Sequence, residues 1–440
     1  MANIRPFKGL RYNPDKFCDL SDVITAPYDR IGESEQAAYY EQSPYSLVRI
    51  IQGLHTPDDD ATDNVYTRAQ CYTRTWMAEE VFIRDPEPAL YVLEQRFTTS
   101  DGVEHVRRGL TAALELTRFD EGVVLPHEHT LRGPKVDRLN LTTATQTAWG
   151  HIFILYPDEA TAVNTLLQPF LDSHMPGIFH DQVVEPGVEQ AFWVVNDEEL
   201  IANVVEAMKE NQPLIIADGH HRYETALGYR DDMREQHPDA PPNAAFNYVL
   251  ATFVSLGDPG LVVLPTHRLI HSYHGLSSKE LLDALESDFE IRAMPTLGRL
   301  QDEMEKAVPQ QPRYGFYDGA YHLLTLKSLN VIDQLLPDRD PNFRHLDVTV
   351  LHELVIERAM GLSKESVLRR ENLTYLRDPL PGLEAVDEGE ANFLFILNPT
   401  RVSQIRACTA AGERMPQKST DFFPKVVSGL VALPLYGEIS

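Results

Sequence analysis

The chain has 440 residues and a formal charge of −27, with 43% hydrophobic and 24% charged residues. That length predicts two or three domains, the composition is that of a folded soluble chain, and the acidic balance works against nucleic acid. No apolar run reaches bilayer length, Met1–Arg5 lacks a secretory apolar segment, and three cysteines (Cys18, Cys71, Cys408) are too few and too scattered for a disulfide framework or a cysteine zinc site. Together these predict a cytoplasmic protein with no membrane partner.

Residues 5–14 are basic and broken by prolines, which reads as an ordered arm. Residues 23–29 read as a short strand interrupted by Pro27, 33–40 as a helix and 45–51 as a strand. A long helical pattern over 60–81 begins with acidic residues, as the helix dipole favours. Residues 90–98 and 103–116 read as strands joined by Ser100-Asp101-Gly102, a hairpin signal. The charged loop 125–138 leads into a helix ending near Gly150, and 151–156 is a buried-type strand. Helix 160–171, strand 192–195 and helix 198–209 follow, and then the apolar run from Leu214 passes into a helix reaching about Arg234.

Strands at 247–255 and 261–264 precede a division placed at 275/276. The N-terminal region 1–275 carries the site, and the C-terminal region 276–440 supports or completes it. Within the latter, 279–289, 298–307, 348–360 and 402–410 read as helices, and 314–317, 322–327 and 392–397 as strands. Helices and strands mingle throughout, which predicts a mixed α/β (α+β) fold.

The densest chemistry lies at Asp218-Gly219-His220-His221-Arg222, where a strand becomes a helix. The first turn of a helix has unpaired N–H groups and partial positive charge, so it is a ready anion site. Gly219 lets the backbone approach a ligand, and Arg222 offers a fork suited to phosphate. Asp218 can hold magnesium or take a proton, and His220 and His221 can donate to phosphate or shuttle a proton. The plainer account of the same residues is an N-capping Asp218 followed by solvated histidines.

His127-Glu128-His129 has metal-ligand residue types, but His127 and His129 share a face only on a strand. With Arg132, Lys135, Asp137 and Arg138 beside it, the segment reads more readily as a binding loop or ion-pair network than as a closed metal site. Arg5, Lys8 and Arg11, and near the end Lys418-Ser419-Thr420 and Lys425, suit phosphate or carboxylate contact, or else are solvated turns. Thr266-His267-Arg268 falls at a strand end, where α/β proteins place ligands. The sequence has no Walker loop, dinucleotide glycine fingerprint, zinc-protease pair, kinase signature or Gly-x-Ser-x-Gly elbow.

Several segments together resemble the bacterial and archaeal "domain of unknown function 1015" family. They are Arg5-Pro-Phe-Lys-Gly-Leu-Arg-Tyr-Asn-Pro14, Ala26-Pro-Tyr-Asp29, His127-Glu-His-Thr130, Asp137-Arg-Leu139, Ala217–Ala226, Pro265-Thr-His-Arg268 and Met415-Pro-Gln-Lys-Ser-Thr420. They run in order along nearly the whole chain. Aromatic residues are expected at 421 and 423; Phe423 fits and Asp421 departs.

The Gly-His-His-Arg segment is also similar to the nucleotide-phosphate motif of sulfiredoxin, of ParB-type partition proteins and of archaeal free-serine kinases. That resemblance implies a ParB/sulfiredoxin-like nucleotide-binding core in which Gly219, His220, His221 and Arg222 hold the phosphates of ATP or ADP, with CTP as a further candidate. The catalytic cysteine of sulfiredoxin is replaced by His220, which argues against sulfinic acid reduction. The acidic charge and the lack of a helix-turn-helix signature argue against ParB-like action on DNA.

The leading expectation is therefore phosphoryl transfer to a small molecule with Mg2+, the acceptor by resemblance being free serine, which would place the chain in serine metabolism. A kinase needs a carboxylate near the acceptor hydroxyl, for which Asp218, Asp29 and Glu128 are the candidates, with His220 and His221 beside them. Asp218 is also the candidate metal ligand. Arg5, Lys8, His127, His129, Arg132, Lys418, Ser419 and Thr420 are candidate substrate contacts. Two other classes stay open: a metal-dependent hydrolase or phosphatase built from His127, His129, His220 and His221, and a non-enzymatic nucleotide-switched regulator. The expected partner is a small-molecule substrate, without nucleic acid or membrane, and a homodimer is compatible with the sequence.

Overall fold

Long apolar runs in the first 262 residues assemble a nine-stranded mixed sheet. Its order is Val124–Pro126, Leu214–Asp218, Ile152–Tyr156, Tyr248–Ser255, Glu104–Glu115, Leu90–Thr98, Glu189–Val195 and Gly177–His180, with Ile4–Arg5 also paired to Glu104–Glu115. The structure, a computed structural model, describes residues 2–128 and 133–439. The chain divides into two compact units. The first holds the residues up to Pro126, those leading to Val262, and the closing stretch from Pro424; the second holds Val263–Phe423 and the short piece beginning at His127.

In the first unit the strand Leu214–Asp218 is covered on both faces, as its unbroken Leu-Ile-Ile-Ala run demands. It runs parallel to Val124–Pro126 and antiparallel to Ile152–Tyr156, with a register shift between Ile216 and Asp218. One face of the sheet packs on the helices Ala162–Ser173, Glu198–Lys209 and His220–Gln236. Val163, Leu167 and Leu171 from the first, Ile201, Val204 and Met208 from the second, and Tyr223 from the third join one core. In the first two helices these residues recur every three or four positions, so each shows one apolar stripe to the sheet. Each such side chain contributes roughly 1.5–3 kcal/mol on burial.

The second unit is built on a six-stranded antiparallel sheet in the order Phe289–Met294, Tyr321–Leu326, Arg313–Tyr317, Phe393–Ile396, His267–Ile270, Leu373–Leu376. Leu300, Met304, Leu323, Leu383, Leu394 and Ile396 form part of its core. Among the described residues no helix is long and apolar enough to cross a membrane.

The mixed α/β class is as expected, and several elements differ from the sequence reading. Residues 45–51 hold a helical turn, Val48–Ile51, and no strand. Leu47 N donates to Val23 O while Ile50 and Ile51 N donate to Leu47 O, so a tertiary contact and a local turn take the backbone groups a strand would have used. Residues 23–29 give one isolated bridge at Thr25 and a 3-10 turn, Tyr28–Arg30, after Pro27. The helical pattern from 60 starts at Val65, because Asn64 accepts from Tyr66 N and Thr67 N and caps it. Helix 279–289 ends at Leu285, and Phe289 opens an edge strand. The division expected at 275/276 falls between Val262 and Val263, because His267–Ile270 is a central strand of the second sheet; the residues from Pro424 return to the first unit.

Candidate functional site

Leu214–Asp218 ends at Gly219, whose φ of 92° and ψ of 24° lie in the left-handed region, and the helix His220–Gln236 begins at once. Among the described residues no side chain caps this helix at Gly219, and its first turn has no acidic residue. A Cβ on Gly219 would stand 3.1 Å from Arg222 Cζ and Nε, so the glycine serves both the turn and the seat of the guanidinium.

Arg222 folds back over this turn. It donates through Nη2 to Asp218 Oδ2 and through Nη1 to the carbonyl of His151. Its side chain is only 11% exposed. Burial works against its charge, but Asp218, Asp29 and Tyr28 more than offset this and hold the guanidinium above its ordinary value. The second oxygen of Asp218 lies 3.4 Å from Nζ of Lys425, which is buried. Two cations thus share the Asp218 carboxylate at a helix start, with Asp29 as a second negative charge acting on Arg222. Lys425, whose local sequence suits phosphate or carboxylate contact, is brought in from the far end of the chain, and no spacing in the sequence points to Asp218 as its partner.

Around this centre Asp29 is exposed on the 3-10 turn, and its charge acts on Arg222 and His221. His221 is pushed down, first by burial, with Glu224 opposing and Lys135 adding to the push, so it is neutral at pH 7. Lys135 pairs with Glu224. Tyr28 is raised, first by burial, and Arg138 lies 4.1 Å over its ring. His151, whose carbonyl holds Arg222, is buried, and burial with the charge of Arg222 pushes its imidazole down to about 3. Its Nδ1 is 2.8 Å from Thr252 Oγ1.

Next to Arg222 a cavity is lined by Tyr28, Trp149, Tyr229 and Tyr248 with Arg138 and Arg222. It has about 70 Å³ of space for water centres. One water needs roughly 10–15 Å³ by that measure, so the space is that of about five or six waters. Thr225, 6% exposed, also lines it, and its Oγ1 has no hydrogen-bond partner among the described residues. Flat apolar walls, two guanidinium groups and an unused hydroxyl suit a planar aromatic ring joined to an anionic group.

The structure therefore gathers Asp29, Asp218, Gly219, His220, His221 and Arg222 in the first unit. His127, Glu128, Lys418, Ser419 and Thr420 gather in the second. There His127 Nε2 is 2.7 Å from Thr420 Oγ1, and Glu128 Oε1 accepts from Ser419 N, Thr420 N and Thr420 Oγ1 at 3.1–3.2 Å. Glu128 thus pins the turn carrying Lys418, whose φ is 56°. His129 and Arg132 lie outside the described residues.

Arg5 sits 5.9 Å over the ring of Tyr248, and Lys8 Nζ donates to Pro86 O at 2.5 Å, so the N-terminal basic residues are engaged with their own unit. Among the described residues no group of three His, Cys, Asp or Glu side chains is placed to hold a metal. A magnesium ion held by one carboxylate and by ligand phosphates needs no such group, and Asp218 would have to share its oxygens with Arg222 and Lys425.

A family model described as "Protein of unknown function (DUF1015)" matches residues 4–349. No curated protein matches the chain. Among solved structures it is similar to a free serine kinase in complex with AMP, at 13% identity and a TM-score of 0.35, over 73% of this chain and 92% of that one. It is similar also to a conserved hypothetical protein from Pyrococcus furiosus, at 12% identity and 0.33, over 71% and 90%. A third is SbnI with C-terminal truncation from Staphylococcus aureus, at 10% identity and 0.34, over 73% and 87%. All three scores are below 0.5, and the chemistry has to be read from the chain's own residues.

Proposed function

The chain belongs to the DUF1015 family, and from the geometry around Gly219 we propose that its first unit binds a nucleotide and transfers a phosphoryl group to a small molecule. One observation carries the reading. A helix start at a left-handed glycine, with the cations Arg222 and Lys425 gathered on Asp218, opens beside an aromatic cavity that holds a hydroxyl without a hydrogen-bond partner among the described residues. Backbone N–H groups from Gly219 to Arg222 and the Arg222 fork would take the phosphates, and the cavity would take the base. Magnesium, when bound, gathers phosphate charge; Asp218 and Asp29 are the carboxylates placed to hold it.

Asp218 keeps Arg222 and Lys425 aligned, which leaves its oxygens engaged. Asp29 forms no ion pair among the described residues and is exposed. It is the better candidate to accept the proton of an acceptor hydroxyl, with neutral His221 next to it as a hydrogen-bond donor. Free serine stays the leading acceptor by resemblance.

Calorimetric titration with ATP, ADP and CTP plus magnesium tests the reading, alongside Arg222→Ala with its unfolding midpoint checked. Saturable binding that the substitution abolishes in a folded variant supports it, and serine and related hydroxyl compounds are then assayed as acceptors. Absence of binding by all three nucleotides overturns it.

A further inference from the structure

A groove in the first unit takes no part in that reading and shares no lining residue with the cavity beside Arg222. It offers about 430 Å³ of space for water centres, against about 70 Å³ in that cavity. Its walls are mostly rings: Tyr12, Phe17, Phe170, Phe179, Phe192 and Trp193. They come from the N-terminal segment, the helix Ala162–Ser173 and the paired strands Gly177–His180 and Glu189–Val195. These rings are held from behind. Phe17 meets Tyr12 and Tyr45 edge-on at 5.3 and 5.7 Å, Phe192 stacks on Tyr91 at 5.8 Å, and Trp193 Nε1 donates to His174 O at 2.9 Å. A ligand would therefore meet walls already in place, which spares the cost of ordering them.

The polar groups indicate the charge of the occupant. The chain has 66 acidic residues, yet among the described residues that line the groove none is Asp or Glu, while Arg11 and His174 both line it. Asp85 accepts from Nε and Nη2 of Arg11 at 2.6–3.1 Å, and also from the Tyr91 hydroxyl at 2.7 Å. The guanidinium is thereby fixed along one edge, and its Nη1 has no hydrogen-bond partner among the described residues. A planar fork held this way keeps donors for a second acceptor, and a carboxylate matches them in shape and sign.

We propose that this groove binds an aromatic carboxylate, its ring system among Phe17, Phe170, Phe179 and Trp193 and its acid group on Nη1 of Arg11. Ring walls take a flat apolar body, and the few polar groups fix its orientation. An aromatic amine would set its charge against Arg11, and a small acid without a ring would leave the walls uncovered. The site rests on no part of the nucleotide reading and stands whether or not a nucleotide binds at Gly219.

The test is calorimetric titration of the full chain with naphthylacetate, naphthylacetamide, naphthylethylammonium and acetate, with cysteine alkylation as the reporter of place. Cys18 lines the groove and is exposed, and Cys71, exposed on helix Val65–Ala78 and outside the lining, is the internal control. Naphthylacetate is expected to bind roughly tenfold tighter than the other three, and to slow iodoacetamide at Cys18 while leaving Cys71 unchanged. Met175→Glu, at a groove position that is 93% exposed, should weaken naphthylacetate several-fold and leave the amide unmoved. Arg11→Lys keeps a cation for Asp85 but loses the fork, and should bring naphthylacetate to the level of the amide. The proposal is overturned by no naphthylacetate binding at millimolar concentration, by the amide matching the acid, or by binding that leaves Cys18 as reactive as before. Affinity unmoved in both variants at the unaltered unfolding midpoint also overturns it, as does Cys18 alkylation that slows with protein concentration alone, which would make the occupant a second copy of this chain. Should Arg11→Lys fail to fold, Met175→Glu and the four ligands decide.

Discussion

Replacing Gly219 tests the junction most directly, because two separate costs fall on one Cβ. At a φ of 92° any L side chain pays a backbone penalty, roughly 1–2 kcal/mol for the left-handed region. The new Cβ also meets Arg222 at 3.1–3.2 Å, so the guanidinium has to move although Asp218 and the His151 carbonyl hold it. Loosening one charge-assisted bond costs about 1.5–3 kcal/mol. Gly219→Ala should therefore lose about 2.5–5 kcal/mol in urea unfolding. Gly219→Asn separates the terms, since asparagine tolerates the left-handed region and still carries the Cβ. It should recover the backbone part of the stability while keeping weakened nucleotide binding, as Ala does. A loss under about 0.5 kcal/mol for Gly219→Ala would refute both the strain and the crowding argument.

Trp149 lines the aromatic cavity, so its fluorescence should change on nucleotide addition, and the signal should vanish in Trp149→Phe while Trp76 and Trp193 remain; an unchanged signal in that variant places the ligand elsewhere. Glu128→Ala should destabilise the second unit by about 1–3 kcal/mol, since three donors of the Ser419–Thr420 turn lose their acceptor, with Glu128→Gln much milder; equal chemical-denaturation curves for the two would mean the carboxylate does not pin the turn. Burial holds His151 and His352 at about 3 and His267 at about 4, with Arg222 adding to the first and Arg268 to the other two. Because the unfolded chain protonates near 6.5 and the folded one does not, their contribution is complete above that pH and is lost as pH falls toward 3–4. Each contributes a slope of up to about 1.4 kcal/mol per pH unit, and His352→Gln should flatten the pH dependence of unfolding between 6 and 5; an identical slope in the variant contradicts the burial argument.

The strand–helix junction at Asp218–Arg222 was legible because its signals are local: a short apolar run, a glycine at the turn and a helical spacing behind it. The charge that completes it was not. Lys425 reaches Asp218 across 207 positions of sequence, and His151 reaches Arg222 across 71; no spacing rule links such residues. The run at 45–51 misled for a related reason, because β-branched residues signal a strand only where a sheet edge accepts them. Here Leu47 is tied to Val23 and the run closes into a helical turn. Thr266-His267-Arg268 was placed correctly near a strand end, but the depth of Arg268 is set by Leu373–Leu376 and Phe393–Ile396 on either side.

Burying a guanidinium is costly, and this chain meets that cost in different ways that bear on function. Arg222 has a carboxylate in contact and a second close by, so it stays charged above its ordinary value and orders the junction without help. Arg107, 1% exposed, is bonded to Gln95 and the Pro424 carbonyl, lies over Phe153, and is pulled down to about 10 by burial while Asp258 and Glu185 oppose. It joins strand Glu104–Glu115 to the returning C-terminal stretch, so its burial serves the fold. Arg268 has three neutral acceptors and an aromatic face, which hold its geometry but leave its charge unanswered. A purely structural anchor at that position could be apolar at less cost. Retaining a cation there, with no ion pair among the described residues, sets Arg268 apart from Arg222, which is paired with Asp218, and from Arg107, whose bonds serve the fold.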